Sequence, residues 1–259
     1  MALVRQHLRQ ERAAWIAWAG AMACAAFGIG AAYAILPASL ARQASPLLQK
    51  IPSDMNAFLG GTATFLSPRG WADGLALTGL LAMGVAVFVA LASLSVVVED
   101  RDGGGLEFLL TLPVRRGRLL AARTLSVLVQ VVGVEAAVCV GVALGLGAVG
   151  HPLPIGRLAA AALPAVLAQT ALAGTLVVCS LALRDPTQAM LVDLVLAIGL
   201  FFLPAMGGHS PVRFVSPFAY SDAGLLLGGG FPTGHAVLLA AWTAVAFVLA
   251  GLWFARMDT

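Results

Sequence analysis

GLALTGLLAMGVAVFVALASLSVVV, residues 74–98, decides the class of this protein, because it contains no charged side chain. A helix crosses the hydrocarbon core of a bilayer with about 20 mostly apolar residues, and this run is long enough to do so. Three more runs, 15–36, 158–183 and 236–255, are equally free of charge. Two others carry one acid each: Glu135 lies within 124–150 and Asp193 within 187–206. All six are rich in Leu, Ala, Val and Gly and lack the polar/apolar alternation of barrel strands, so they read as helices.

The whole composition agrees. Of 259 residues, 60% are apolar and only 10% charged, against roughly 45–50% and 25% in a soluble domain. That excludes a water-soluble globular enzyme, and the surplus of residues demanding burial excludes a disordered chain. The net charge of +3 is spread along the sequence, which leaves no basic footprint for nucleic acid. Cys24, Cys139 and Cys179 lie inside apolar runs and are expected as buried thiols, not as a disulfide framework. The expectation is therefore an all-α integral membrane protein with six spans in a single transmembrane domain, 1–259.

The run at 15–36 follows arginines, as a secretory signal would. Its uncharged length exceeds the roughly 7–15 apolar residues of a signal core, so it is expected to stay as the first span. Orientation follows from Lys and Arg outside the spans. With both termini in the cytoplasm, that side holds Arg5, Arg9, Arg12, Arg101, Arg115, Arg116, Arg118, Arg123, Arg184 and Arg256. The other side holds Arg42, Lys50, Arg69, Arg157 and Arg213. The imbalance places both termini inside. Arg5, Arg9 and Arg12 share one helical face, so residues 1–14 suit an amphipathic helix lying at the inner surface of the bilayer, or the positive flank of the first span. The stretches 37–73 and 207–235, rich in Pro and Gly, are expected outside.

The polar segment between the second and third spans, 99–123, reads EDRDGGGLEFLLTLPVRRGRLLAAR. Acids cluster at its start and arginines at its end. Leu106, Leu109, Leu110 and Leu112 have a roughly helical spacing, and Pro113 ends the helix they imply. Glu107 falls near the start of that helix, where the dipole favours an acid. A connecting loop needs polarity, but not four leucines and Phe108. The extra apolar surface requires a lipid, a neighbouring helix or a partner protein to cover it.

At this segment the chain resembles the membrane subunits of type-2 ABC exporters. Glu99 and Asp100 match the family's acid pair, Gly104 its glycine, and Glu107, Leu109 and Leu110 its next block. Leu112–Pro113–Val114 match the proline block and Arg116 the arginine. Gly105 and Arg115 depart from the usual residues, and Arg123 stands in for a frequent Lys. Shorter likenesses are LSPRGW before the second span, SPFAY before the last, and the Arg256/Asp258 end. The resemblance implies that 99–123 is a coupling helix docking on a separate ATP-binding subunit. The contact residues would be Glu99, Asp100, Gly104, Glu107, Phe108, Leu109, Leu110, Leu112, Pro113 and Arg116. It implies a permease dimer, a homodimer or a pairing with a related permease, with the passage between the two subunits, in the inner membrane of the cell. ATP and magnesium would belong to the partner, and this chain would bind no cofactor. The composition, rich in Ala, Gly and Arg, points to a prokaryotic source.

The residues support the need for a partner independently. A phosphate-binding P-loop requires a lysine after its glycines, and the sole lysine, Lys50, sits in SPLLQKIP. The chain is therefore not an ATPase and carries no catalytic residue of that kind. Glu135 and Asp193 are candidate passage residues. A carboxylate in the span centre costs about 2.5–3.5 kcal/mol on insertion scales, so each must meet protein or water. Gln130, Gln169, Gln188 or a backbone carbonyl are the expected structural partners. Pro164 should kink the fourth span, and Gly141, Gly145 and Gly147 should permit close packing of the third.

Two other classes fit less well. An ATP-independent carrier or channel would leave 99–123 without a purpose, and no repeat relates the halves as in many such carriers. An intramembrane enzyme lacks its constellation. DRDGGGLEF has no later paired aspartates, and His209 and Ser210 are sequence neighbours in a loop. The four histidines, His7, His151, His209 and His235, all fall outside the spans and have no metal-ligand spacing.

Overall fold

The computed structural model describes residues 2–35, 67–96, 116–183, 185–206, 210–221, 226 and 230–256. Among them the elements are helical throughout, with no strand. They are α1 (Ala2–Gln10), α2 (Arg12–Ala32), α3 (Pro68–Trp71), α4 (Leu80–Leu94), α5 (Arg116–Ala148), α6 (Ile155–Ala182), α7 (Pro186–Met206) and α8 (Thr233–Arg256). Six helical stretches among the described residues are long and apolar enough to cross a membrane. The expected class, an all-α membrane protein with six spans, is the observed one.

Local chemistry sets the helix ends. Gly150 has φ +81°, the left-handed conformation that costs a glycine least. His151 N donates to Leu146 O at 2.9 Å and Gly150 N to Gly147 O at 3.2 Å, the paired bonds of a Schellman turn that closes α5. Asp185 caps α7, its Oδ1 accepting from Gln188 N at 2.9 Å. Pro186 supplies the first helical position, where no N–H is needed. Ser67 caps α3 by accepting from Gly70 N at 3.1 Å.

The second span differs from the expected 74–98. It runs Pro68–Leu94 and is broken. A wide turn of π type over Ala72–Leu77 ends where Thr78 N and Thr78 Oγ1 both donate to Asp73 O at 2.9 Å. α4 then restarts after Gly79. A Cβ at Gly79 would run into the Gly74 carbonyl oxygen, so only glycine makes this break. The third span also begins earlier than 124, since α5 is helical from Arg116.

α2 and α5 form the closest pair. Trp15 faces Gly133, Ala23 and Ala26 face Gly141, and Phe27 and Gly30 face Gly145. The numbers rise together, so the helices run in the same direction. A Cβ on Gly141 or Gly145 would strike the Ala23 or Phe27 carbonyl, which confirms these two as packing glycines. Gly147 faces open space and is not one. α8 lies on α6, where Trp242 Nε1 donates to Thr175 Oγ1 at 3.1 Å, and α7 lies on α4. α6 continues through Pro164.

α4 and α6 are the most buried spans, whereas α2, α7 and α8 bury few of their residues. Val140, Leu144, Val195, Val245, Val248 and Leu252 are all exposed on the bundle's outer surface. Apolar surface on that scale suits lipid, not water. Cys139 is buried, but Cys24 is exposed, contrary to the expected burial. A thiol behaves as a small hydrophobe, so a lipid-facing position serves it equally well.

Candidate functional site

Three groups of polar side chains stand out from this apolar bundle. The first lies where α1, α4 and α5 meet. Glu99, Asp100, Gly104, Glu107, Phe108, Leu109, Leu110, Leu112 and Pro113 fall outside the described residues, and Arg116 opens α5. The structure does describe both roots of this segment. α4 ends through Ser95 and Val96, whose carbonyls would be left without intrahelical partners. The buried Arg123 guanidinium closes them: its Nη1 donates to Val96 O at 2.9 Å and reaches Ser95 O at 3.5 Å. A cation at a helix C-terminus is also favoured by the dipole.

Ser95 ties in the N-terminal helix as well. Its Oγ lies 3.4 Å from His7 Nε2 and donates to Ala92 O at 2.9 Å. His7 is buried, with half-buried Val4 and Leu8 on the same side of α1 and Gln6, Arg9 and Gln10 exposed. Ser126 Oγ donates to Arg123 O at 2.7 Å. The segment 97–115 thus leaves α4 and enters α5 beside one polar clamp. Sequence reasoning put Arg123 at the end of a loop. The signal for its role was an arginine followed by an uninterrupted apolar helix, which places the charge on a helical face and not in a turn.

The second group is the intramembrane acids. Asp193 on α7 is fully buried, and Ser180 Oγ on α6 donates to its Oδ2 at 2.5 Å. This serine replaces the glutamines expected as its partner. The short turn capped by Asp185 folds α6 and α7 into a hairpin, which brings positions 180 and 193 together. Gln169 is committed elsewhere, its Nε2 donating to Ala82 O at 2.9 Å. Glu135 is buried on α5, and its Oε1 has no partner among the described residues. No bond joins Glu135 to Asp193, and neither lines the cavity described next.

The third group surrounds a cavity of about 370 Å³ at the opposite end of the bundle from the clamp. That is within the range of about 300–1,000 Å³ usual for small-molecule sites. The break in the second span places Leu77 and Thr78 on its wall, and α7 contributes Phe201 and Pro204. The wall is completed by two short 3-10 turns, Pro211–Val215 and Pro217–Tyr220. Ser216 holds these in place: it accepts from Phe218 N at 3.1 Å and donates to Leu200 O at 2.5 Å. The Phe218 ring then packs edge-on against Phe201, 5.2 Å between centroids.

Polar atoms enter this apolar space at two levels. Gln169, fully buried in the middle of α6, turns its amide to the cavity. With its Nε2 bound to Ala82 O, its Oε1 has no partner among the described residues. An unmet buried acceptor costs about 1–3 kcal/mol. Nearer the bundle end are Arg213, stacked 4.7 Å from the centroid of Phe214, and His235, whose Nδ1 is buried with no partner among the described residues. Tyr220 packs edge-on against His235 at 5.3 Å, and its hydroxyl donates to Phe214 O at 3.1 Å. Among the described residues, no group of His, Cys, Asp and Glu could hold a metal ion.

The sequence model of one protein family, described as ABC-2 family transporter protein, matches residues 1–259. No curated protein matches the chain closely enough to count as a relative.

Proposed function

The chain belongs to the ABC-2 transporter family, and from that premise we propose that it is the permease subunit of an ATP-driven exporter. Family membership and six membrane-length helices make it a multi-pass membrane permease, and the family works with an ATP-binding partner in general. The finer reading is that two copies of this chain form the passage and two copies of a separate ATPase drive it. ATP and magnesium stay on that partner. The end carrying the clamp faces the cytoplasm of a prokaryotic cell, with both termini on that side, as the arginine distribution favours. Glu135 and Asp193 are the polar points at which a passage would be sought.

The observation that carries the reading is the clamp. A segment that transmits force must be fastened where it joins the membrane helices, and 97–115 is rooted beside a buried arginine that bonds the end of α4 from the body of α5. Leu106–Leu112 then forms the docking surface, with Glu99, Asp100, Glu107 and Arg116 as its charged contacts or caps.

The test is purification in mild detergent from native membranes, followed by mass spectrometry of what accompanies the chain. A stoichiometric protein with a P-loop is expected. Leu109→Asp should insert normally and lose that partner, because a charge enters the docked apolar face. A chain that purifies only with itself, or a Leu109→Asp variant that keeps the ATPase and full transport at equal expression, would refute the reading.

A further inference from the structure

The cavity beside Gln169 is not explained by coupling to an ATPase. It lies at the other end of the bundle from the clamp, and its walls come from four spans and the 211–221 stretch. Its polar groups differ in depth. α6 and α8 run side by side in the same direction, since Thr170 lies beside Thr243 and Gly174 beside Ala246. His235 stands in the first turn of α8, eight residues before Thr243, or about 12 Å at 1.5 Å per residue. Gln169, next to Thr170 in the chain, therefore lies about two helical turns below the rim at which His235 stands. Apart from these groups the wall is mainly apolar, with Leu77, Ala82, Ala165, Phe201 and Phe218. The deep end thus holds one fully buried acceptor, Gln169 Oε1, with no partner among the described residues.

We propose that this cavity binds an uncharged aliphatic alcohol, seated hydroxyl-first, with its O–H donating to Gln169 Oε1. Each feature follows from a constraint. A backbone carbonyl only accepts, so Ala82 O takes the amide N–H of Gln169 and fixes which end of the amide is its oxygen. That oxygen selects an O–H or N–H on the ligand. A hydrocarbon or an ether brings no such proton and would leave it unmet. A carboxylate brings only acceptors, and any ion would shed its water against an apolar wall. An amide or ester adds a carbonyl that needs a donor of its own. The hydroxyls on the wall do not supply one, because Thr78 Oγ1 donates to Asp73 O and Ser221 Oγ to Phe218 O. Arg213 keeps its place on Phe214 and takes no part. The alkyl body lies against Phe201 and Phe218, where its burial is favoured in proportion to the apolar area removed from water.

The inference goes beyond the permease reading and does not depend on it. Its test contains no nucleotide, so a failure here leaves the coupling reading intact, and the reverse also holds. The full-length chain, with any subunit that co-purifies, is placed in phosphatidylcholine nanodiscs. Three probes are compared by equilibrium dialysis, with empty discs subtracted: nonanol, its isomer methyl octyl ether, and sodium nonanoate. The alcohol and the ether have the same atoms and differ in the donor. Nonanol should bind tightest, about tenfold tighter than the ether, or about 1.4 kcal/mol. Gln169→Leu should abolish that advantage while leaving the affinity of the ether unchanged. Ala165→Leu, which fills the cavity from its wall, should weaken alcohol and ether alike. The two variants thus leave different signatures, which a general loss of fold would not produce. Equal binding of the isomers to the parent chain would mean that water meets Gln169, or that both probes only partition into lipid, and would overturn the proposal. Tighter binding of nonanoate, or a preference for nonanol that survives Gln169→Leu, would overturn it equally.

Discussion

Arg123→Met tests the clamp most directly. Methionine keeps the apolar stem of the arginine and removes its donors. Among its contacts with described residues, the native side chain makes one well-formed bond, 2.9 Å to Val96 O, and one long contact, 3.5 Å to Ser95 O. Only the first has full strength by geometry. A hydrogen bond from a charged group contributes about 1.5–3 kcal/mol, and a partly buried cation at a helix C-terminus up to about 2 kcal/mol. These two effects overlap, so their sum is not taken. Replacing a buried charge with an apolar side chain is often neutral when its partner is removed too. Here the partners among the described residues are backbone carbonyls, which remain when the arginine is replaced. A loss of about 2–4 kcal/mol is expected, and at roughly 2–4 °C per kcal/mol for a chain of this size the melting temperature should fall by roughly 5–15 °C. Tryptophan fluorescence of the detergent-purified chain reads this. Arg123→Lys, which keeps the charge and one bond, should lose less than half as much. In the reconstituted complex, Arg123→Met should also lower transport per ATP hydrolysed. A melting temperature within about 2 °C of the parent, with coupling unchanged, would refute the clamp.

Two further variants examine the bundle. Gly145→Val should separate α2 from α5, because its Cβ would strike the Phe27 carbonyl; overpacking of this kind costs about 1–3 kcal/mol. Gly147→Val, facing open space, should stay within about 0.5 kcal/mol of the parent, and equal melting of the two would contradict the packing described. Ser180→Ala should cost about 1–3 kcal/mol by leaving Asp193 Oδ2 unmet. Combining it with Asp193→Val should recover most of the loss, and strictly additive effects in that cycle would show that the pair is not coupled.

The six spans were legible because a bilayer imposes a single length on apolar runs, and each run exceeds it. What the runs could not show was where helix stops and loop begins. Arg118 and Arg123 read as loop because they are charged. A helix is not obliged to end where its charges begin, and α5 carries both in its first turns. The break at Thr78–Gly79 was hidden for a related reason: hydropathy is blind to backbone geometry, and only the collision at Gly74 reveals why residue 79 is a glycine. Asp193 was visible as an anomaly, but its partner was not. Ser180 lies in the preceding helix, and pairing across a hairpin depends on the register of the turn. Gln169 was visible as a polar residue in an uncharged span and was expected beside an acid. It faces a cavity because α4 offers its Ala82 carbonyl first. Arg213 and His235 could not be seen to share a cavity wall, since they come from different elements and are brought to it only by folding.

One helix links the two polar ends. α4 has 15 residues and at 1.5 Å each spans about 22 Å. One end presents the carbonyls that Arg123 bonds, and near the other Ala82 O holds the amide of Gln169 against the cavity. Helical hydrogen bonds are unbroken between them, so a displacement along the axis at Val96 is carried to Ala82 with little loss. Beyond Ala82 this stiffness ends, because Thr78 and Gly79 interrupt the ladder. The stretch Pro68–Leu77 is fastened separately, through Trp71 Nε1 to Ile29 O at 2.7 Å and through the Trp71–Tyr33–His151 ring contacts. The break therefore divides the second span into a part tied to α2 and a part tied to the clamp. Leu77 and Thr78 on one side of the cavity belong to the first part, and Ala82 with Gln169 to the second. Motion of the clamp along α4 would change the distance between those two sides, and so the shape of the cavity, without moving the end of the bundle in which it lies.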